Sequence, residues 1–200
     1  MSVIFGYISE SKNIVYLVAD NRATDIDGKL VSDDTIKIEV VNSNTAVAFA
    51  GNCGAQAFFL KCYKEMEGYK NWLVNELAGN ICAMCNSLRI METDWAKQIA
   101  NSNSSFLVAG KSKDNMIKLF AITFKNYKID CKEVPMMLFH PNDCDFQKCG
   151  NILVKNINLH PKDFASRTLS EISKISKLIS RTGDMWVFDL EKDESTFIKI

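Results

Sequence analysis

Short apolar and β-branched runs open the chain and are arranged in pairs. VIFGYIS and IVYLVAD are joined by ESKN and predict a hairpin whose second strand ends at Asp20. TIKIEVV and TAVAFAG flank the turn Asn42-Ser43-Asn44 and predict a second hairpin that ends at Gly51. The pattern therefore predicts four strands in the first quarter of the chain.

After Gly51 the apolar residues recur at helical spacing up to about Ile99, which predicts two consecutive helices. Strands are expected again at SSFLVAG and IKLFAITF, on either side of a turn over residues 111–115. A last hairpin, MWVFDL and STFIKI, turns through residues 191–194. Before it, His160 and Pro161 indicate a turn that leads to a helix. The segment TLSEISKISKLIS predicts an amphipathic helix over residues 168–180, with one apolar face formed by Leu169, Ile172, Ile175, Leu178 and Ile179.

The order of elements is strands, two helices, strands, one helix and strands, which is typical of an α+β protein. We expect a single domain over residues 1–200, because the chain shows no internal repeat and no linker. Each antiparallel sheet must cover its second face. Helices on both outer sides would then complete a four-layer α/β/β/α sandwich.

Charge and hydropathy exclude several classes of function. Lys+Arg 24 balances Asp+Glu 24, so no broad positive field favours nucleic acid or anionic lipid. The start MSVIFGYISES has no basic leader, and no apolar run approaches the length of a membrane span. We therefore expect a cytoplasmic protein that binds neither nucleic acid nor membranes and keeps its cysteines reduced.

Three ionisable residues interrupt the apolar strands near the start of the chain. Asp20 and Arg22 lie in VADNRAT, where the second strand ends, and Lys37 lies within TIKIEVV. A charge placed in a sheet must be paired or must reach a functional site. Strand alternation could equally direct these side chains to a solvated face, and the pattern alone leaves both interpretations open.

Four stretches, SVIFGYI, VADNRAT, DDTIKIEVV and AFAGNCGAQ, together resemble the β-subunits of the proteasome and their bacterial peptidase relatives. These proteins are N-terminal nucleophile hydrolases. The family combines a short first strand that begins with the nucleophile, an Asp-x-Arg-x-Thr stretch, a Lys-Ile strand and an Ala-Gly turn before the first helix. The matching stretches cover about a quarter of the chain. The matched positions are Asp20, Arg22, Ala23, Thr24, Lys37, Ile38, Ala50 and Gly51.

The resemblance implies an amide or peptide hydrolase centred on Ser2. Ser2 becomes the nucleophile once Met1 is removed, and its own α-amine serves as the base. Lys37 would lie beside the Ser2 hydroxyl and lower its effective pKa, and Asp20 would hold the Lys37 ammonium as an ion pair. The Gly51 N–H would stabilise the oxyanion. A peptide or protein substrate, no metal or other cofactor, and a homo-oligomer of rings or stacked rings are further implications.

Later parts of the chain depart from the family's pattern. The family's Gly-Ser-Gly stretch, which supplies a helper serine, has no clear match, and that region reads LFHPNDCDF. The late Asp-x-x-Ser-Gly element is matched in part by Thr182 and Gly183, with Ile179 in the place of the aspartate. Thr182 and Gly183 are therefore expected to support the site, and Arg22 to be a structural partner in it.

Three functions stay open on this evidence. The first is a hydrolase that forms an acyl-enzyme on Ser2, in which an amine could replace water as the acceptor. The second is a catalytically inactive subunit of the same fold that acts as scaffold or partner in an oligomer. The third is a module that binds small molecules or proteins, in which Ser2 and Lys37 would be freely replaceable.

Two groups of potential metal ligands favour simpler interpretations. Cys82 and Cys85 form a CxxC, but they lie in a predicted apolar helix without a second pair, so packing is expected. A second group lies in one loop, but its spacing fits no zinc pattern, so a polar turn around Pro141 is expected instead. This group consists of His140, Asp143, Cys144, Asp145 and Cys149.

Overall fold

The computed structural model describes residues 2–9, 13–25 and 27–200, and the N-terminal hairpin is its first element. Strand β1 covers Ile4–Ser9 and β2 covers Ile14–Asp20, with Ile4 opposite Ala19. The predicted hairpin is confirmed. Residues 10–12 of its connecting loop, and Met1, lie outside the described residues.

Two five-stranded antiparallel sheets contain most of the strands. The first has the order β10 (Met136–Phe139), β1, β2, β11 (Gly183–Asp189), β12 (Glu194–Lys199). The second has the order β5 (Ile38–Asn42), β6 (Thr45–Gly51), β7 (Asn103–Lys111), β8 (Ile117–Lys125), β9 (Lys128–Glu133). A two-stranded sheet is formed by β3 (Ala23–Thr24) and β4 (Leu30–Ser32).

Five α-helices lie in two groups along the described chain. Three follow β6, namely α1 (Cys53–Glu65), α2 (Val74–Ile90) and α3 (Asp94–Asn101), with a short 3-10 helix at Tyr69–Asn71. Two follow β10, namely α4 (Phe146–Asn156) and α5 (Pro161–Ile172). The Asn52 side chain caps α1 by accepting the Gly54 N–H, as a helix N-cap requires.

Strand alternation divides the core into three hydrophobic clusters. Along β2, Val15, Leu17 and Ala19 face a cluster shared by both five-stranded sheets, whereas Tyr16 and Val18 face one shared with α4 and α5. The third cluster joins the second sheet to α1, α2 and α3. The protein is therefore mixed α+β, compatible with an α+β sandwich. Among the described residues, no helix is long and apolar enough to cross a membrane.

The amphipathic helix predicted over residues 168–180 is wrong in its bounds. Helix α5 begins at Pro161, directly after His160, which confirms the predicted turn into a helix, but it ends at Ile172. Beyond it, the carboxylate of Asp143 accepts hydrogen bonds from the Ser176 hydroxyl (2.7 Å) and the Lys177 N–H (3.1 Å). The second bond takes the Lys177 N–H away from a helical carbonyl, and the segment continues in turns.

The region that follows Gly51 was predicted to contain two helices, but it contains three α-helices. Helix α2 ends at Ile90 and its cap residue Met91 is extended, so the chain leaves the helical path there. Helix α3 starts one turn later with Thr93 at the N-cap and Asp94 in its first turn. Threonine followed by an acidic residue is a helix-start signal, and the apolar spacing alone did not reveal it.

Candidate active site

Asp20, the last residue of β2, is fully buried, and its carboxylate accepts four hydrogen bonds. Its Oδ1 accepts the Val3 N–H at 2.9 Å and the Lys37 Nζ at 2.8 Å. Its Oδ2 accepts the Arg22 N–H at 2.9 Å and the Ser180 N–H at 3.4 Å. The carboxylate thus ties the residue after Ser2 to Lys37 through a single oxygen atom.

Lys37 directly precedes β5 and is only 4% exposed. Its ammonium donates to Asp20 and also to the Arg22 carbonyl oxygen at 2.5 Å. Burial lowers the pKa of Lys37, and the Asp20 carboxylate opposes that shift. Burial likewise raises the pKa of Asp20, with Lys37 opposing. Each charge is therefore maintained by the other, and the solvated-face interpretation of these two residues is wrong.

Ser2 and Gly51 line the same cleft, whose volume is about 320 Å³. Gly51 ends β6 with φ +97°, and a Cβ there would lie 2.0 Å from the Asn103 carbonyl oxygen. Only glycine tolerates both this conformation and this close approach. The backbone at the cleft is consequently unobstructed by a side chain at position 51.

The direction of the Gly51 N–H follows from its neighbours. The Asn52 N–H bonds to the Asn103 carbonyl of β7, and the Phe49 N–H bonds to the Lys37 carbonyl on the opposite side. Alternation in an antiparallel ladder therefore turns the Gly51 N–H away from β7, to the side of Lys37. Strand β5 begins only at Ile38, so this amide lies beyond the end of the β5 ladder.

Arg22 contacts the buried pair through its backbone, and its side chain binds elsewhere. Its guanidinium makes a two-pronged ion pair with Asp33, with Nε to Oδ1 at 2.6 Å and Nη2 to Oδ2 at 3.1 Å. Its Nη1 donates to the Lys177 carbonyl at 2.9 Å. Asp33 raises the pKa of Arg22. These contacts place Arg22 between the β3–β4 region and the segment after α5.

The segment before β11 contacts the site through its backbone. The Thr182 carbonyl accepts the Asn21 N–H at 3.2 Å, and Gly183 is opposite Asp20 in the ladder between β2 and β11. A Cβ on Gly183 would lie 2.3 Å from the Ala19 carbonyl oxygen. Ile179 is buried in the cluster beneath α5. An apolar side chain therefore occupies the position at which the family resemblance expects a carboxylate.

The far wall of the cleft was not predicted from the sequence. It is formed by the end of β10 and the loop into α4, together with the start of β7. The run LFHPNDCDF contains part of this wall, and it is the region in which the family's Gly-Ser-Gly stretch has no clear match. The lining residues outside the predicted site include Asn103, Ser105, Phe139, His140, Asn142 and Phe146.

The two groups of potential metal ligands are used for other contacts. Cys85 is buried in the cluster beneath α1–α3 and Cys82 packs against that cluster, as the packing interpretation expects. In the loop after β10, Asp143 bonds to Ser176, and Asp145 caps α4 by accepting the Lys148 N–H at 2.9 Å. Within the described ranges, no cluster of three or more metal-ligating side chains is present.

The chain matches no family model, and no curated protein shows significant similarity to it. The geometry of the site is therefore the basis for any functional conclusion.

Proposed function

We propose that the protein is an N-terminal nucleophile hydrolase of the proteasome β type that cleaves amide bonds through an acyl-enzyme on Ser2. The observation that carries the proposal is the buried pair of Asp20 and Lys37, anchored to the Val3 N–H. A buried ion pair is costly, and hydrophobic residues of similar volume would often be at least as stable. Its position beside the start of β1 is explained if Lys37 serves the residue before Val3.

Two further features support the proposal. Ser2 and Gly51 share one cleft, which would bring a nucleophile and an oxyanion donor to the same substrate carbonyl. The two sheets share one cluster and carry helices on their outer faces, as a four-layer α/β/β/α sandwich of this hydrolase type would.

The mechanism requires that Met1 be removed. The freed α-amine of Ser2 then takes the hydroxyl proton while Oγ attacks the amide carbon, and the negative charge on the carbonyl oxygen is met by the Gly51 N–H. The amine returns its proton to the leaving nitrogen as the C–N bond breaks. Water, activated by the same amine, then releases the acid and restores Ser2.

Lys37 acts as a fixed positive charge in this mechanism. Its ammonium stabilises the developing Ser2 alkoxide, because an adjacent cation favours the ionised form. Asp20 holds the ammonium, and its second oxygen fixes the backbone of Arg22 and Ser180. Thr182 and Gly183 support this arrangement through their backbone. The Thr182 carbonyl accepts the Asn21 N–H, and Gly183 is opposite Asp20 in the ladder between β2 and β11. A peptide or protein is the proposed substrate, and we propose that the chain forms a homo-oligomer in the cytoplasm.

One observation favours an alternative. Ile179 is buried among apolar residues where the family would place an aspartate that helps to position the N-terminal amine. An inactive subunit of the same fold, acting as a scaffold or partner, would tolerate that loss.

Hydrolysis of a mixture of fluorogenic peptide amides tests the proposal. We expect activity in the wild type, loss of activity in Ser2→Ala, and retention in Ser2→Thr, which keeps a hydroxyl and an α-amine. Equal activity in wild type and Ser2→Ala would contradict the proposed nucleophile. A folded wild type that cleaves none of the peptides would favour the inactive subunit.

A further inference from the structure

Two thiols lie in contact at the start of α4. Cys144 precedes the helix, and Cys149 lies just after its first turn. The Cys149 S–H donates to the Cys144 Sγ at a sulfur–sulfur distance of 3.2 Å. Both side chains are buried in the cluster beneath α4 and α5, with Cys149 fully buried and Cys144 9% exposed.

The positions of the two cysteines explain their contact. Asp145 is the N-cap of α4, so Cys144 is the residue before the cap and Cys149 is the fourth helical residue. Apolar side chains at these two positions commonly pack together and fix the entry of the chain into the helix. Here both partners of that contact carry sulfur, so the same contact can become covalent.

We propose that Cys144 and Cys149 are a modification site that forms a reversible disulfide by exchange with a low-molecular-weight disulfide such as oxidised glutathione. The inference goes beyond the proposed hydrolase and does not depend on it.

The exchange proceeds in two steps. The Cys144 thiol loses its proton to solvent and attacks one sulfur of oxidised glutathione, which forms a mixed disulfide and releases one glutathione thiolate. Cys149 then loses its proton and attacks the Cys144 sulfur, which closes the internal disulfide and releases the second glutathione. Two protein thiols are oxidised, and one glutathione disulfide is reduced to two thiols.

Burial assigns the order of attack. Cys144 is the more exposed of the two, so it meets the oxidant first. Burial raises the pKa of Cys149 to about 12, which makes it a poor partner for an oxidant in solution. Its contact with Cys144 compensates for this in the second step, because an attack within one molecule has a high effective concentration.

The disulfide would act on the far wall of the cleft. His140 and Asn142 precede Cys144, and Phe146 follows it, and all three line the cleft with Ser2. Closing the sulfur–sulfur distance from 3.2 Å to about 2.05 Å draws the loop and the first turn of α4 together. We therefore expect oxidation to shift the environment of His140.

Tryptic mapping after oxidation tests the disulfide directly. Trypsin cuts after Lys148, so Cys144 and Cys149 fall in the separate peptides EVPMMLFHPNDCDFQK and CGNILVK, and neither contains another cysteine. After incubation with oxidised glutathione and alkylation of free thiols, we expect these two peptides to be joined and to separate on reduction. If both are recovered alkylated while the exposed Cys53 carries glutathione, the proposal is overturned.

A control variant and a second measurement complete the experiment. In Cys149→Ala the second step is impossible, so we expect the mixed disulfide with glutathione to accumulate at Cys144. Proton NMR gives a second readout, because the chain has 2 histidines, His140 and His160. Oxidation should shift the ring signals of His140 and leave those of His160 unchanged, whether or not the protein hydrolyses peptides. If the two peptides are joined but the ring signals of His140 do not shift, the proposed effect of the disulfide on the cleft is overturned.

Discussion

Lys37 is the residue on which the buried charges depend. Its ammonium is the only cationic partner that the described contacts give to the Asp20 carboxylate. Removing one partner of a buried pair leaves the other charge without compensation, which costs much more than losing a surface pair. A substitution at Lys37 is therefore expected to change both the free energy of unfolding and the reactivity of Ser2, and a second variant is needed to separate the two effects.

Lys37→Ala is expected to lower the free energy of unfolding by about 3–5 kcal/mol and to abolish modification of Ser2 by an electrophilic peptide. Urea unfolding and mass spectrometry measure the two effects. Replacing both charges, in Asp20→Asn with Lys37→Met, should restore much of the stability but none of the modification. As a matched control, Lys155→Ala removes an exposed pair with Glu171 and should cost less than about 1 kcal/mol. Unchanged modification in Lys37→Ala would rule out its proposed role.

The pH dependence of the Lys37→Ala variant has a defined sign. Burial raises the pKa of folded Asp20 above its usual value of 3.8, and without Lys37 the main opposing influence is gone. The folded state then binds more protons than the unfolded state above that value, so the free energy of unfolding falls as pH rises. The deficit relative to wild type should therefore be smallest in acid and grow towards neutral pH. A deficit independent of pH would show that Asp20 is not the uncompensated group.

Gly51 is constrained by both backbone conformation and space. In Gly51→Ala the new Cβ would lie 2.0 Å from a backbone oxygen of Asn103, so β6 or β7 must shift. Gly68→Ala is the matched control, because Gly68 also has positive φ, +75°, but has nothing within 4 Å of the added Cβ. We expect Gly68→Ala to cost about 1–2 kcal/mol and Gly51→Ala to cost clearly more, with loss of Ser2 modification. Equal costs in urea unfolding would contradict the close approach.

At the scale of elements, Asp143 holds the segment that follows α5. Asp143→Ala removes two hydrogen bonds to the segment after the helix and should cost about 1.5–3 kcal/mol. Amide hydrogen exchange should accelerate around Ser176 and Lys177, and through Ser180 the loss should reach Asp20. In Asp145→Ala, which removes the cap of α4, we expect a cost of about 1 kcal/mol and faster exchange at the start of α4 instead. Identical exchange patterns in the two variants would contradict this assignment.

Local patterns explain why some elements were predictable and others were not. The continuous apolar runs IVYLVAD and TAVAFAG predict β2 and β6 correctly, because each strand faces an apolar cluster on both sides. Strand β9 has mostly exposed residues and therefore carries no such signal. The turns after α5 are held by Asp143, which is distant in sequence from Ser176, so no local pattern could reveal them.

The residues of the candidate site likewise divide into those that a local pattern indicates and those that only the tertiary structure brings together. The sequence pointed to Asp20 and Lys37 because charges inside apolar strands need partners, and the structure pairs them. It could not reveal that Asn103, His140 and Phe146 line the cleft with Ser2, because β7 and the loop before α4 reach the cleft only through the packing of the two sheets. That wall is defined by tertiary structure alone.

At the scale of the whole molecule, the outer helical face is a candidate contact surface between copies of the chain. Ile90 is 76% exposed and Trp95 is 43% exposed, although both are large apolar residues. We expect sedimentation at micromolar concentration to give a mass at least twice that of one 22.5 kDa chain. A single species of 22.5 kDa would contradict the proposed homo-oligomer.

The proposed mechanism requires that Ser2 be a nucleophile activated by its own freed amine. Intact mass of the purified protein, before and after exposure to an electrophilic peptide that traps N-terminal nucleophiles, tests it most directly. We expect a chain lighter by one methionine that gains a single adduct, which maps to Ser2. A chain that retains Met1 and gains no adduct would leave Ser2 without its base and would contradict the proposed mechanism.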